Sequence, residues 1–394
     1  MNNTIVTNLK KEFIKRFERE PLLIASPGRI NLIGEHTDYN DGFVMPASID
    51  KKVYCAIAKN NTINNCTIHS LSLKDSFGFE LGQIEKNTSK NWINYVVGVV
   101  DIINKDHHLD AGFDILVDSD LPLGAGLSSS AALENAIAFG INDLFELNIP
   151  KEELIYISQK AEHVYAEVEC GIMDQYSSVF GKKKNLLLLD CQTITSKEIP
   201  AKFEPYELWL LNTNVSHNLA DSEYNKRREE CREAIRLINE HYRAVSSFRD
   251  LQPEEISKLK EILPEILFKR TSYVIEENDR VQKAAEALKN DDLVLFGKML
   301  YLAHEGQQLK YEVSCKELDF LVDFSKKFTE VLGSRMMGGG FGGCTINLIH
   351  KDIAASYVSE VAEAYQKEFN IALTPLKVSI DNGTHILKNE NINL

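Results

Sequence analysis

The chain has no C-x-x-C pair, no apolar run approaching the length of a membrane span, no low-complexity or proline-rich tract, and no G-x-x-x-x-G-K-[ST] loop. Each absence removes a class of protein. Its seven cysteines (55, 66, 170, 191, 231, 315 and 344) are odd in number and scattered, which excludes a disulfide framework and a zinc ribbon and fits a reducing cytoplasm. The most apolar stretch, Tyr95 to Ile103, falls far short of the ~18 residues a membrane span requires. The first twenty residues interleave Lys10, Lys11, Lys15 and Arg16 with acids, so no secretory signal is visible. A basic excess is also missing. Against 58 Asp and Glu stand 44 Lys and Arg, a net charge of −14, which argues against a protein held to nucleic acid by counterion release. The expectation is a soluble, cytoplasmic monomer that handles small molecules, with no membrane, no nucleic acid and no obligatory protein partner.

What is present is enough for more than one core. The 394 residues are 44% apolar, and at ~150 residues per domain they suggest two to three folding units. Helical periodicity runs through 91–104, 131–144, 151–167, 223–243, 276–288, 291–303 and 316–327, and an amphipathic helix spans 5–17. Strand patterns lie at 53–58, 66–71, 113–117, 186–190, 208–212 and 345–349. Helices and strands do not alternate strictly, so an α+β architecture is expected rather than a doubly wound sheet. The cluster Lys182-Lys183-Lys184 is the expected boundary, dividing the chain into 1–182 and 183–394.

Glycine concentrates in three regions, each against a strand pattern. The middle one, Gly124-Ala125-Gly126-Leu127-Ser128-Ser129-Ser130, joins a strand to a helix through small residues that let backbone N–H groups approach a ligand closely. Its serines stand at the helix start, where the free N–H groups and the positive end of the dipole favour phosphate. A glycine turn with plain serine caps would read the same way. The last region has a formal G-x-G-x-x-G at Gly338, Gly340 and Gly343. A dinucleotide fingerprint needs a strand before and a helix after; here the helix pattern 318–327 precedes and a strand comes after, so a close backbone approach is the better reading.

The first region carries the densest chemistry. In Pro27-Gly28-Arg29-Ile30-Asn31-Leu32-Ile33-Gly34, strand alternation puts Arg29 on the face opposite Ile30 and Leu32. Glu35, His36, Thr37 and Asp38 then offer donors and acceptors within four residues, which suits a polyhydroxylated ligand, although a solvated polar turn is the alternative. Two more carboxylates stand in apolar settings. Glu162 lies at the edge of an amphipathic helix, and Asp174, in Cys170-Gly171-Ile172-Met173-Asp174-Gln175-Tyr176, would be costly to bury without a partner. Arg29 is the candidate counter-ion.

The pattern Pro-x-x-x-Gly-Leu-x-Ser-Ser-Ala at Pro122 to Ala131, with the basic strand before it and the glycine-rich loop after it, resembles the GHMP (galactose, homoserine, mevalonate and phosphomevalonate) kinase superfamily. Within that superfamily, Gly34 to Asn40, Cys170 to Gln175 and Gly333 to Cys344 resemble the galactokinases. The resemblance implies an N-terminal ribosomal-protein-S5-like α/β domain and a C-terminal ferredoxin-like α+β domain, with ATP and sugar between them. It implies phosphorylation of the anomeric hydroxyl of α-D-galactose, the step that opens galactose metabolism by the Leloir pathway. Matched residue by residue, it makes Arg29 and Asp174 the catalytic pair and Glu35, His36, Asp38 and Tyr224 sugar ligands. It makes Gly124 to Ser130 the phosphate loop, Ser70 a nucleotide contact, and Ser130 and Glu162 the Mg²⁺ ligands. A serine hydroxyl with one carboxylate also suits Mg²⁺, which takes few protein oxygens beside phosphate and water. N-acetylgalactosamine or another monosaccharide remains an alternative substrate, and a silent sugar and ATP sensor an alternative role. The chain departs from the galactokinase pattern at Ala303 to Leu309, at Met337, and at Ala166 and Glu167.

Overall fold

The computed structural model describes residues 2–122, 124–216 and 220–387; Leu123 of the phosphate-loop motif lies outside the described residues. Among these, thirteen strands form: β1 (Leu22–Asn31), β2 (Phe43–Val44), β3 (Pro46–Lys59), β4 (Asn65–Ser70), β5 (Asp75–Glu80), β6 (Phe113–Ser119), β7 (Asn185–Asp190), β8 (Thr195–Pro200), β9 (Tyr206–Ser216), β10 (Val331–Met337), β11 (Gly342–His350), β12 (Thr374–Val378) and β13 (His385–Ile386). They build a six-stranded sheet ordered β13-β1-β3-β6-β4-β5, a four-stranded sheet ordered β10-β11-β9-β12 and a small sheet ordered β2-β7-β8.

In the six-stranded sheet β1 is buried on both faces, which is why Leu22 to Ala25 reads as a continuous apolar run rather than an alternation. Leu23 and Ala25 turn toward the amphipathic helix Asn3–Phe17, where they meet Val6, Leu9 and Phe13. Ile24 faces the main core with Ile57, Val100 and Ile137, contributed in part by the helices Asn91–His107 and Ser129–Leu144. The last strand among the described residues, β13, borders this sheet by pairing antiparallel with β1.

The four-stranded sheet is antiparallel throughout. Its connectivity, β9, helices, β10, β11, helix, β12, with β9 and β11 in the centre, is the ferredoxin-like arrangement. The helix Ala354–Phe369 crosses between β11 and β12, and its stripe Tyr357, Val361 and Tyr365 packs on Leu211 and Ile349.

The structure differs from the sequence expectations in three places that matter here. A strand, β10, directly precedes the loop Gly338 to Gly343 where a helix pattern was the expected neighbour. The dinucleotide reading therefore fails on the C-terminal side of the loop: β11 pairs back on β10, making the loop a hairpin turn. The helix over 276–288 begins eleven residues earlier and runs Glu265–Lys289. The helix over 151–167 is α-helical only to Ala161; a single π turn, Glu162–Ala166, comes next and ends at Glu167 with φ +61°. Such turns often occur at functional sites, and this one begins at Glu162.

Candidate active site

A β-bulge interrupts the β1–β3 register between Pro27 and Arg29. Bulges re-aim the side chains beside them, and here the Arg29 side chain reaches the start of the helix Met173–Phe180 while its backbone stays paired with Ser48 and Ile30 and Leu32 stay fully buried. Its guanidinium makes a bidentate pair with Asp174, Nε to Oδ1 at 2.8 Å and Nη2 to Oδ2 at 2.8 Å. Nη1 donates to the Gly126 carbonyl at 2.6 Å, and the Arg29 backbone N–H donates to Leu127 O at 3.1 Å. Burial pulls this guanidinium's pKa down, but the charges of Asp174, Glu35 and Asp38 outweigh it and the net shift is upward.

The turn Gly124 to Ser130 is therefore fastened to Arg29. Gly124 and Gly126 both have φ +68°, and Ser128 takes the left-handed conformation at φ 55°. The Ser128 side chain does not cap the helix Ser129–Leu144; its hydroxyl donates to Asp174 Oδ2. The serine-cap reading thus fails at Ser128, and the first N–H groups of that helix are not taken by its side chain. Ala125 and Leu127 are buried beneath the loop.

Asp174 shares a cavity of about 120 Å³ with Arg29, Glu35, His36, Asp38, Glu162, Tyr224 and the backbone at Gly338 and Gly339. Asp38 closes one side so tightly that a Cβ on Gly171 would lie 2.0 Å from its Oδ2. Burial, then the negative charges of Asp174 and Glu35, push the Asp38 carboxyl up to about 7. Glu35 reaches across to the four-stranded sheet: its Oε1 accepts from the Gly338 N–H at 2.8 Å and from Arg335 Nη2 at 3.1 Å. Thr37 is turned away from the cavity, with its hydroxyl 2.8 Å from Gly34 O and 2.7 Å from Phe43 O. It shapes the turn instead of presenting a polar group to a ligand. Burial raises the Tyr224 phenol well above its usual range, so it stays a hydroxyl.

Glu162, buried at 6% exposure, accepts from Ser130 Oγ at 3.3 Å, from Gln175 Nε2 at 2.8 Å and from Cys170 Sγ at 3.4 Å. None of these donors is a cation, and burial together with the Asp174 charge pushes its carboxyl up to about 7. Beyond Ser129 and Ser130 opens a second cavity of about 250 Å³, lined by Ser70, Trp92, Tyr95, Val117, Leu121 and Leu133. Ser70 is thus brought into the same cavity as Ser129 and Ser130. Trp92 and Tyr95, which line this cavity, and Arg335, which donates to Glu35, were not among the candidate residues read from the sequence. The first two carry a signal only in hindsight, as aromatics three apart at the start of a helix. Arg335 is the one charged residue of its strand, Val331–Met337, which is itself a signal, since a fully buried guanidinium must be met by acceptors.

Among the described residues no helix is long and apolar enough to cross a membrane. The chain matches three family descriptions along its length: the galactokinase galactose-binding signature at residues 11–59, the GHMP kinases N terminal domain at 94–182 and the GHMP kinases C terminal region at 284–367. It is 43% identical to a galactokinase of Thermotoga neapolitana over 89% of this chain and 96% of the relative. It is 41% identical to one of Thermotoga maritima over 91% and 98%. The structure of Lactococcus lactis galactokinase complexed with galactose superposes with a TM-score of 0.93 at 34% identity, covering 97% of this chain and all of that one. A Methanococcus jannaschii mevalonate kinase, at 18% identity and a TM-score of 0.63, shares the fold. With relatives above 40% identity along nine-tenths of it, the chain belongs to the galactokinase family of the GHMP kinases.

Proposed function

We propose that this kinase transfers the γ-phosphoryl group of ATP to the anomeric hydroxyl of α-D-galactose, giving galactose 1-phosphate and ADP, and that residues 1–182 and 183–394 form its two domains with the reaction between them, apart from β13, which returns to the sheet of the first. The observation that carries the reading is one loop fastened to the polar cavity on one side and lining a second cavity on the other. Arg29, Asp174 and Glu162, which line the polar cavity, are hydrogen-bonded to Gly126 O, Ser128 and Ser130, and Ser129 and Ser130 line the larger, more apolar cavity around Trp92. A sugar in the first and a nucleotide base in the second would present acceptor and donor to opposite sides of a phosphate-binding turn. In-line transfer demands positioning and charge neutralisation more than covalent chemistry.

In this reading Glu35, His36, Asp38 and Tyr224 hold the sugar hydroxyls. Asp174 orients or deprotonates the anomeric hydroxyl. Arg29, bidentate to that carboxylate, fixes its orientation and faces the transferring group. Gly124 to Ser130 supply N–H groups to the phosphates, and Ser70 bounds the nucleotide cavity.

The residues present also fit a divalent cation. Glu162 is a buried carboxylate without a cationic partner, beside a serine hydroxyl, and among the described residues no group of three or more His, Cys, Asp or Glu could hold a metal unaided. That is the sparse donor set Mg²⁺ tolerates when phosphates complete its shell. Ser130 and Glu162 would hold it, and bound there it would neutralise phosphate charge.

An ADP-release assay with ATP, Mg²⁺ and a panel of monosaccharides tests the reading. Turnover with galactose well above glucose, N-acetylgalactosamine and mannose is expected. Equal rates across the panel, or none with galactose, would refute it.

A further inference from the structure

Four polar side chains run in a line from the sugar cavity toward the C-terminal helices. His36 Nδ1 lies 2.7 Å from the Tyr39 hydroxyl, that hydroxyl 2.9 Å from the Tyr311 hydroxyl, and that in turn 3.2 Å from Cys231 Sγ. At the other edge of the imidazole, Nε2 is 3.2 Å from the Gly339 carbonyl. Taken singly, each of these groups could donate or accept. The end of the line removes the choice.

A carbonyl oxygen only accepts, so Nε2 carries a hydrogen. Burial, aided by the nearby Arg227 charge, pushes the imidazole down to about 3 despite the Gly339 bond, so the ring is neutral and has that one N–H. Nδ1 must then accept, and Tyr39 must spend its only hydrogen on it. The Tyr39 oxygen can take part in its bond to Tyr311 only as acceptor, which consumes the Tyr311 hydrogen. Cys231 must therefore donate its thiol hydrogen to the Tyr311 oxygen. Burial raises both phenols well above their usual range and the thiol to about 11, so every hydrogen in the line stays in place. Ring packing fixes the same groups: His36 lies 4.9 Å from Tyr311 and 5.3 Å from Tyr224, centroid to centroid.

We propose that Tyr39, Tyr311 and Cys231 are positioning residues that lock His36 as an Nε2–H donor, so that His36 offers the sugar cavity one hydrogen and no lone pair. The ligand must then present an oxygen lone pair to His36 in competition with the Gly339 carbonyl. A hydroxyl oxygen qualifies; a ring carbon stripped of its hydroxyl, or an ammonium group, does not. The ligand part of this inference rests on the sugar-kinase reading, whereas the proton order does not.

The test uses full-length protein labelled with ¹⁵N-histidine and two-bond ¹H–¹⁵N correlation spectra, with His36 assigned by its loss in His36→Gln. The expected wild-type pattern has the hydrogen on Nε2 and a hydrogen-bonded Nδ1. In Tyr39→Phe the Nδ1 resonance should move to the position of an unbonded acceptor, and the KM for galactose should rise about tenfold while the KM for ATP stays within twofold. Tyr311→Phe, a milder change that leaves Tyr39 its hydrogen, should shift Nδ1 less in the same direction and covers the case in which Tyr39→Phe fails to fold. A wild-type His36 protonated on Nδ1, or an Nδ1 resonance unmoved in both variants, overturns the proposal. If galactose proves not to be phosphorylated at all, the kinetic arm fails with the functional reading while the spectra still decide the proton order.

Discussion

Asp174→Asn isolates charge from shape. The substitution keeps the side chain's volume and its place in the first turn of the helix Met173–Phe180, but it removes the negative charge and converts one oxygen to an N–H donor. In the structure Oδ1 accepts from Arg29 Nε, while Oδ2 accepts from Arg29 Nη2 and from Ser128. An asparagine can satisfy one Arg29 donor with its oxygen and can donate to Ser128 with its nitrogen, so one of the two Arg29 bonds is lost. Removing one member of a buried ion pair costs about 3–5 kcal/mol. Here the Asp174 side chain is 23% exposed and one bond survives, so about 2 kcal/mol is expected, too little to unfold the protein. The catalytic cost is larger. General-base participation contributes about 10²–10⁴ in rate, and the substituted amide can neither accept the hydroxyl proton nor hold Arg29 in its bidentate pose. We expect kcat to fall at least 10³-fold, about 4 kcal/mol of transition-state stabilisation, while galactose, still met by Glu35, His36, Asp38 and Tyr224, binds within about tenfold of wild type. ADP release measures the first quantity and titration calorimetry the second. Turnover within tenfold of wild type would remove Asp174 from the chemistry altogether.

Three further outcomes rest on the same geometry. Gly171→Ala places a Cβ 2.0 Å from Asp38 Oδ2; displacing that carboxylate by about 1 Å should lower kcat/KM for galactose about 10²-fold with the ATP KM within twofold, and equal losses for both substrates would contradict it. Asp38 sits at about 7 in the folded protein against ~3.9 unfolded. The folded state therefore binds the extra proton between these values, and stability contributed by this group is lost as pH rises from about 4 through 7. Thermal melts of ligand-free protein should show Asp38→Asn gaining on wild type across that window and keeping its advantage at pH 8, whereas parallel curves would refute the assignment. Glu162→Gln should raise the Mg²⁺ concentration for half-maximal activity at least tenfold and weaken Mn²⁺ binding measured by electron paramagnetic resonance in the presence of ATP, leaving galactose affinity within twofold. Unchanged Mn²⁺ binding would take Glu162 out of the metal site.

The residues legible from sequence are those whose reason is local. Arg29 could be placed off the apolar face because strand alternation is a two-residue rule, and its pairing with Asp174 came from the cost of a lone carboxylate among Ile172, Met173 and Tyr176. The three glycine regions were visible because a left-handed φ or a close backbone approach leaves a compositional mark. Thr37 shows the limit of that reasoning. It lies in the same polar run as Glu35, His36 and Asp38, yet its hydroxyl is spent on two carbonyls of its own turn. Composition says that four polar groups are near one another, not which of them the turn consumes.

The site's far wall was illegible for a different reason. Arg335 is fully buried and donates to the Asn31 and Leu32 carbonyls, to Met336 O and to Glu35. These partners, apart from Met336, lie some 300 residues away in sequence, and no periodicity in either segment encodes the meeting. This shapes the cavity around Asp174. Glu35 has one oxygen committed to Arg335 and Gly338, so the carboxylate is held by the C-terminal sheet before any ligand arrives. His36 is likewise bonded to Gly339, from the hairpin between β10 and β11. Two of the N-terminal residues facing the cavity are therefore oriented by one C-terminal turn, and the glycines at 338 and 339 act as backbone donor and acceptor rather than as a phosphate cradle. A substitution that shifts that hairpin should disturb sugar binding through these bonds and phosphate binding along with it, because the hairpin also packs on the turn Gly124 to Gly126, where a Cβ added at Gly338 would lie 3.4 Å from Gly126 O.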